Sequence, residues 1–322
     1  MDRSSIGEVR RAAVGVAQAL RFDEESRSNV GIVATELATN ILLHAETGEF
    51  LVCPSQDQNG IRLDMLALDS GPGIGDIGRA MEDGFSTVGT AGQGLGAIKR
   101  LSHASGLYSN TTQGTVCWSR FQTGDSPVAG VVNLPLGEEP VAGDSYFTDT
   151  NPARAMYMMV DGLGHGIGAA EAADEAVLTV KTHFNQSAAE IVTRTHEALK
   201  KTRGAAMAIA IVDLQRQILS YAGIGNISAS LLSGASSRSL VSQNGTLGAV
   251  MPRNVQEFTY PVDPDTMLIM FSDGLTSKAS PVAYTGFHNR PAMLLAGLMY
   301  RDFSRRRDDA SVLVTRLGGS RL

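Results

Sequence analysis

Glycine gathers in two stretches of this chain, residues 71–96 and 162–168, each lying between a strand-like apolar run and a helical pattern. Glycine at such density suits backbone that turns sharply or must come close to another group. Both stretches therefore read as loops at strand ends, where α/β folds commonly hold anions and metals. Glycine is also abundant overall, 35 of 322 residues or about 11%, against roughly 7% on average. Proline is only 11, so the surplus is not low-complexity filler.

At roughly 100–200 residues per domain, 322 residues suggest two domains. The net charge of −6 and pI of about 5.5 argue against a grip on nucleic acid, which needs clustered Lys and Arg. The run Arg305-Arg306-Arg307 abuts Asp308-Asp309 and reads as a solvated or locally paired segment. Cys53 and Cys117 form no metal or redox spacing and fit a reducing compartment. The first eleven residues hold no apolar signal core. The longest apolar run, 205–212, is far shorter than the ~18 residues a membrane span needs. The expectation is a soluble cytoplasmic protein with neither nucleic acid nor membrane as partner.

Helical spacing of Val30, Val33, Leu37 and Ile41 predicts a long helix over 23–45, after a shorter one over 5–20. Strands over 50–53 and 61–68, a helix over 97–103 and a strand over 115–121 complete a first domain, residues 1–122. Residues 123–129 read as a linker. The second domain, 130–322, is rich in short strands with two central helices, 168–184 and 188–202. Ser187 and Glu190 form a capping box for the second helix.

In the first domain, Glu36 and Asn40 stand four apart, on one helix face. The strand over 61–68 ends in Asp69-Ser70-Gly71-Pro72-Gly73. Gly92-Gln93-Gly94-Leu95-Gly96 opens the next helix, where backbone N–H groups and the helix dipole favour an anion. Gly73, Gly75 and Gly78 also match a dinucleotide fingerprint, but the acidic residue that such a site needs about 20 positions on is missing. The three clusters resemble the N, G1 and G2 boxes of the GHKL ATPase superfamily. Within it they resemble the serine/threonine kinases of bacterial partner-switching modules, the anti-sigma and stressosome switch kinases. That resemblance covers residues 5–121 and implies a GHKL (Bergerat) α/β sandwich binding ATP with Mg²⁺. It implies Asn40 as the Mg²⁺ ligand, Glu36 as general base toward a protein hydroxyl, and Asp69 as acceptor for the adenine amino group. Gly71 and Gly73 would make room for the base. Gly92, Gly94, Leu95 and Gly96 would hold a lid over the phosphates, with Ser86 and Thr87 within its reach.

In the second domain, residues 156–160 run into Asp161-Gly162, and residues 267–271 into Ser272-Asp273-Gly274. Asp144 follows Gly143 ahead of a strand, and Asp308-Asp309 leads into another. Any one Asp-Gly pair is an ordinary turn signal. Four carboxylate positions at strand ends point instead to a hard oxygen site for Mg²⁺ or Mn²⁺. With Asp161-Gly162-Leu163-Gly164-His165-Gly166-Ile167-Gly168, the set resembles the metal-dependent protein phosphatases of the protein phosphatase 2C superfamily, SpoIIE-type branch. The resemblance covers residues 130–317 and implies an α-β-β-α sandwich around two metals. It implies Asp161 as the bridging ligand, the Gly162 carbonyl on one metal, Asp273 and Asp308 on the other, and Asp144 nearby. His165 is open between a structural role and one at the phosphate. No arginine that would grip the phosphate can be placed.

Together the resemblances imply a two-domain α/β regulator of partner switching. It would dephosphorylate a STAS-type protein and phosphorylate the same or a related one, with a sigma or anti-sigma factor or a second copy of the chain as further partners. The alternatives are a phosphatase whose ATP-binding domain only senses or docks, and a non-catalytic anti-sigma binding protein.

Overall fold

A computed structural model describes residues 3–45, 47–57, 60–77, 94–124, 129–234 and 236–318. Ser86, Thr87 and Gly92, most of the expected lid and residues 125–128 of the expected linker lie outside them. The chain divides into two compact units, Met1–Ser126 and Pro127–Leu322.

The first unit contains helices α1 (Arg3–Ala19), α2 (Glu24–His44) and α3 (Gly94–Leu101), and strands β1 (Gly48–Asp57), β2 (Gly60–Asp69), β3 (Ala104–Asn110) and β4 (Gly114–Gln122). The strands form an antiparallel sheet in the order β1-β2-β4-β3. Helix α2 starts because Asp23 accepts a hydrogen bond from Ser26 N–H at 2.7 Å, satisfying one of the donors a helix N-terminus leaves open. Its buried stripe of Val30, Val33, Ala34, Leu37 and Ile41 packs with Leu63, Met65 and Ala67 of β2. These β2 residues alternate, so a single face of the strand meets the helices. Strand β3 went unpredicted because Ala-Ser-Gly-Leu-Tyr-Ser-Asn shows no apolar alternation. Its pairing with β4 creates it.

The second unit contains strands β5 (Gly130–Leu134), β6 (Asp144–Thr150) and β7 (Arg154–Gly162), then helices α4 (Ile167–Thr182) and α5 (Ala188–Ala198). Strands β8 (Ala205–Asp213), β9 (Ile218–Ile224), β10 (Ser228–Ser233), β11 (Ser236–Ser239), β12 (Phe258–Pro261) and β13 (Met267–Phe271) follow. Helix α6 (Ala292–Phe303) and strand β14 (Ala310–Arg316) close the unit. Two antiparallel sheets result, β11-β10-β13-β14-β5 and β12-β9-β8-β7-β6. Between them Tyr157, Met159, Ala208 and Ala210 meet Leu268, Met270 and Leu313. The alternate residues Met156, Met158 and Val160 pack outward against Ala172, Ala176 and Val180 of α4 and Ile191 of α5. Helix α6 covers β14 and β5 on the other side. The layers are therefore α-β-β-α. Among the described residues both central helices form, and α6 adds a third that the sequence reading does not include. Residues 293–300 of α6 are all buried, so the helix shows no polar face from which a 3.6-residue period could be read. The capping box of Ser187 and Glu190 forms, with both reciprocal bonds present.

Candidate active sites

In the first unit, Glu36 and Asn40 lie beside the buried stripe of α2 and remain half-buried. A Cβ on Gly94 would stand 2.7 Å from Oε2 of Glu36 and 3.8 Å from Oδ1 of Asn40. The start of α3 thus comes close to both side chains, and the first and third clusters meet there. Leu95 packs into the core beneath, and Gly96 lies in the same helical turn. Asp69 ends β2, and its Oδ1 accepts from Gly71 N–H at 2.9 Å and Thr115 N–H at 3.1 Å. Gly73 follows in a left-handed conformation, φ 67°. Ile74 N–H donates to Ser109 Oγ at 2.7 Å, and that hydroxyl lies 2.9 Å from Thr115 Oγ1. Ser109 and Thr115 thus brace the Asp69 turn. Sequence reading missed both, though Gly114-Thr115 at the head of β4 was a faint signal. A cavity of about 620 Å³ borders this turn, lined by His44, Thr47, Ser70, Gly71 and Pro72 among others.

In the second unit, antiparallel register sets Asp144 directly opposite Asp161 at one end of β6 and β7. Asp161 continues the alternation of Tyr157 and Met159, on the strand face turned to the other sheet. Asp144 is buried, and burial pushes its carboxyl up to about 7. The charges of Asp309 and Asp308 add to this, and hydrogen bonds from Ser272 and Ser311 oppose it. Asp161 is half-buried. Burial first, then the charges of Asp144, Asp273 and Asp308, push it up to about 8, against a hydrogen bond from Asn226. Asn226 Nδ2 also donates to Asp273 Oδ2 at 2.8 Å. Asp144 and Asp161 are thus paired across the strand ends, and Asp273 and Asp308 are near enough to act on Asp161 electrostatically. Asn226 is an additional member that nothing in its local sequence marked.

Asp308 is exposed, whereas Asp309 is buried and does something else. Asp309 Oδ1 accepts from Leu136 N–H at 2.7 Å and Oδ2 from Gly143 N–H at 2.8 Å, clamping both ends of the loop before β6. Gly162 N–H donates to Gly143 O at 3.1 Å, and a Cβ on Gly162 would strike Ala169 O at 2.2 Å. Hence glycine is required where this loop passes the start of α4.

Oδ2 of Asp144 is buried with no hydrogen-bond partner among the described residues. An orphaned carboxylate oxygen amid three further carboxylates fits a hard divalent cation. Among the described residues, no three or more His, Cys, Asp or Glu side chains are arranged as a ready ligand set. Asp144, Asp161, Asp273, Asp308 and the Gly162 carbonyl are the groups that would hold metal, which supplies an acidic water and charge neutralisation at phosphorus. A larger cavity, about 1050 Å³, lies between α4 and α5, lined by Leu178, His183, Arg194 and Val255 among others. It includes none of these carboxylates.

The double antiparallel sandwich with carboxylates at its strand ends defines a protein phosphatase 2C-like fold. The profile of Stage II sporulation protein E (SpoIIE) matches residues 151–318, and the chain belongs to that family. A histidine kinase-like ATPase domain matches residues 2–121. The first unit is similar to the serine/threonine-protein kinase RsbT of Bacillus subtilis (strain 168), 37% identical over 115 residues. That match covers 36% of this chain and 86% of RsbT. The second unit is similar to the phosphoserine phosphatase RsbX of the same organism, 26% identical over 97 residues. It covers 30% of this chain and 49% of RsbX, about half the relative's length. A solved structure from work on the bacterial stressosome aligns with a TM-score of 0.56 and 27% identity, over 58% of this chain and 98% of the other. RsbX in complex with magnesium aligns with a TM-score of 0.52 and 21% identity, over 58% and 92%. No helix among the described residues is long and apolar enough to cross a membrane.

Proposed function

We propose that this chain is a cytoplasmic partner-switching regulator that runs two opposed reactions on small STAS-domain proteins. The second unit hydrolyses phosphoserine or phosphothreonine with two Mn²⁺ or Mg²⁺ ions held by Asp144, Asp161, the Gly162 carbonyl, Asp273 and Asp308. The first unit transfers phosphate from ATP. Asn40 holds its Mg²⁺, Glu36 takes the hydroxyl proton, and Asp69 with Gly71 and Gly73 seats the adenine. Gly92, Gly94, Leu95 and Gly96 close over the phosphates, with Ser86 and Thr87 in reach. A sigma or anti-sigma factor, or a second copy of this chain, belongs to the same reading as a further partner.

The observation that carries the proposal is the buried, unpartnered oxygen of Asp144 set opposite Asp161. The contact of Gly94 with Glu36 and Asn40 supports the kinase half. The test incubates the chain with candidate STAS proteins, ATP and Mg²⁺ or Mn²⁺, and follows phosphorylation. Asp161→Asn is expected to let phosphoprotein accumulate, and Glu36→Ala to abolish its formation. If the wild-type chain and Asp161→Asn both leave every STAS protein unphosphorylated, the kinase half is wrong. If Mn²⁺ supports no hydrolysis of a phosphoseryl peptide, the phosphatase half is wrong.

A further inference from the structure

Strand β5 carries one polar side chain, Asn133, in the run Gly130-Val131-Val132-Asn133-Leu134. Taking an amide out of water is costly unless both of its ends find partners. Here both do. Nδ2 donates to the backbone carbonyl of Asp144 at 3.1 Å, and Oδ1 accepts from Ser311 Oγ at 3.1 Å. A carbonyl can only accept, so chemistry fixes which way the amide points. Ser311 of β14 stands directly opposite Asn133 in the β14–β5 ladder. Asp144 belongs to β6, in the other sheet. The amide therefore ties one sheet to the other at the end where Asp144 and Asp161 pair.

The tie continues beneath the Asp144 carboxylate. Ser311 N–H donates to Ser272 Oγ at 3.1 Å, and Ser272 N–H donates to Ser311 O at 3.1 Å. Both serines are buried, and both hydroxyls reach the Asp144 side chain. Oδ2 of Asp144 has no partner among the described residues, so these contacts fall on Oδ1. Asn133 thus holds the backbone of Asp144, the serines hold one carboxylate oxygen, and the other oxygen is left bare.

We propose that Asn133 is a positioning residue for the metal site. It sets the spacing of the two sheets there, so that Asp144 and Asp161 on one sheet and Asp273 and Asp308 on the other can serve the same ions. This rests on the phosphatase reading above. Asp273 follows β13 and Asp308 precedes β14, both strands of the sheet that holds Asn133. Carboxylates gathered without a cation repel one another, and that repulsion acts to part the sheets. A neutral amide spanning the gap opposes it without adding charge. Asp309 clamps the loop between β5 and β6, whereas Asn133 joins the strands themselves.

The test compares ions of different demand. Mg²⁺ needs near-octahedral oxygens at about 2.0–2.1 Å, whereas Ca²⁺ accepts looser shells at about 2.3–2.6 Å. The metal-free full chain, without nucleotide, is titrated with each ion in a calorimeter. Asn133→Leu stays close to the original side chain in shape. It is expected to weaken Mg²⁺ binding about tenfold, as for residues that orient metal ligands. Ca²⁺ binding is expected to hold within about twofold, because a loosened site still suits the larger ion. Ser311→Ala leaves Asn133 in place but removes its second anchor, and is expected to lower the ratio of Mg²⁺ to Ca²⁺ affinity by a smaller factor. Raising Mg²⁺ is expected to restore kcat of Asn133→Leu on p-nitrophenyl phosphate, since the defect lies in loading. Equal weakening of both ions, or wild-type affinity for both, overturns the proposal while leaving the phosphatase reading intact. If Asn133→Leu does not fold, Ser311→Ala decides, and an unchanged ratio there overturns the proposal. Wild-type chain that binds neither ion overturns the metal site itself, and the proposal with it.

Discussion

Asp64, near the middle of β2, is among the most buried charged side chains of the first unit, together with Arg120 of β4. The two pair bidentately, Nε to Oδ1 at 2.7 Å and Nη2 to Oδ2 at 2.9 Å, and Trp118 Nε1 donates to the same Oδ1 at 2.6 Å. The guanidinium also stands 5.1 Å from the Trp118 ring centre. Removing one member of such a network leaves a buried charge without compensation, at about 3–5 kcal/mol. Asp64→Ala is therefore expected to lower unfolding free energy by about that amount in a urea titration. A loss under ~1 kcal/mol would mean that water reaches Arg120 in solution. At this scale legibility was uneven. Asp161 and Asp273 stood out because each stops an apolar run. Asp308 and Asp309 look alike in sequence, yet one is exposed and the other, buried, closes a loop 166 residues away in the chain. Asn226 and Glu139 had no local signal, because their partners, Asp273 and His165, lie 47 and 26 residues off.

Among the elements, α2 does the most for the first site. Its apolar stripe was readable at helical spacing, and the same spacing put Glu36 and Asn40 one turn apart. The polar pair is placed by the packing of the stripe. Leu37, fully buried beside Glu36, is expected to cost about 2–5 kcal/mol when cut to Ala. ATP affinity is expected to fall with it as the helix settles into the cavity. Chemical denaturation and nucleotide titration of Leu37→Ala measure both. Unchanged nucleotide affinity beside lost stability would show that the polar pair does not depend on this packing. Helix α6 and strand β3 were illegible for opposite reasons. The first is apolar on every side, and the second has almost no apolar residues to pattern.

For the whole molecule, the two units carry two different proposed ligands, and the chain has a single tryptophan, Trp118. That residue lies in β4 of the first unit, so its fluorescence reports that unit's unfolding. ATP with Mg²⁺ at about 100 times its dissociation constant is expected to stabilise the first unit by roughly 2.7 kcal/mol. The fluorescence melt should therefore move upward. Mn²⁺ without nucleotide should leave that melt nearly in place while raising the transition seen by calorimetry for the second unit. A fluorescence melt that ignores ATP would remove the nucleotide from the first unit. Two domains and their general classes were legible at this scale because the motif clusters keep to separate halves of the chain.

The facing of Asp144 and Asp161 across neighbouring strands has a consequence for what a disabled version of this protein would look like. Like charges opposite each other on a ladder oppose folding. Both carboxyls are held above their ordinary value, Asp161 up to about 8. Near pH 4 the unfolded chain is only beginning to ionise them, so they cost little. As pH rises toward 8, the unfolded chain ionises freely while the folded one resists, and stability drains away. Without metal, Asp161→Asn is expected to melt above the wild type at pH 8 and to match it near pH 4. Added Mn²⁺ should reverse the order at pH 8. The inactive chain would then be the sturdier one, and a screen that selects only for heat resistance would discard the enzyme.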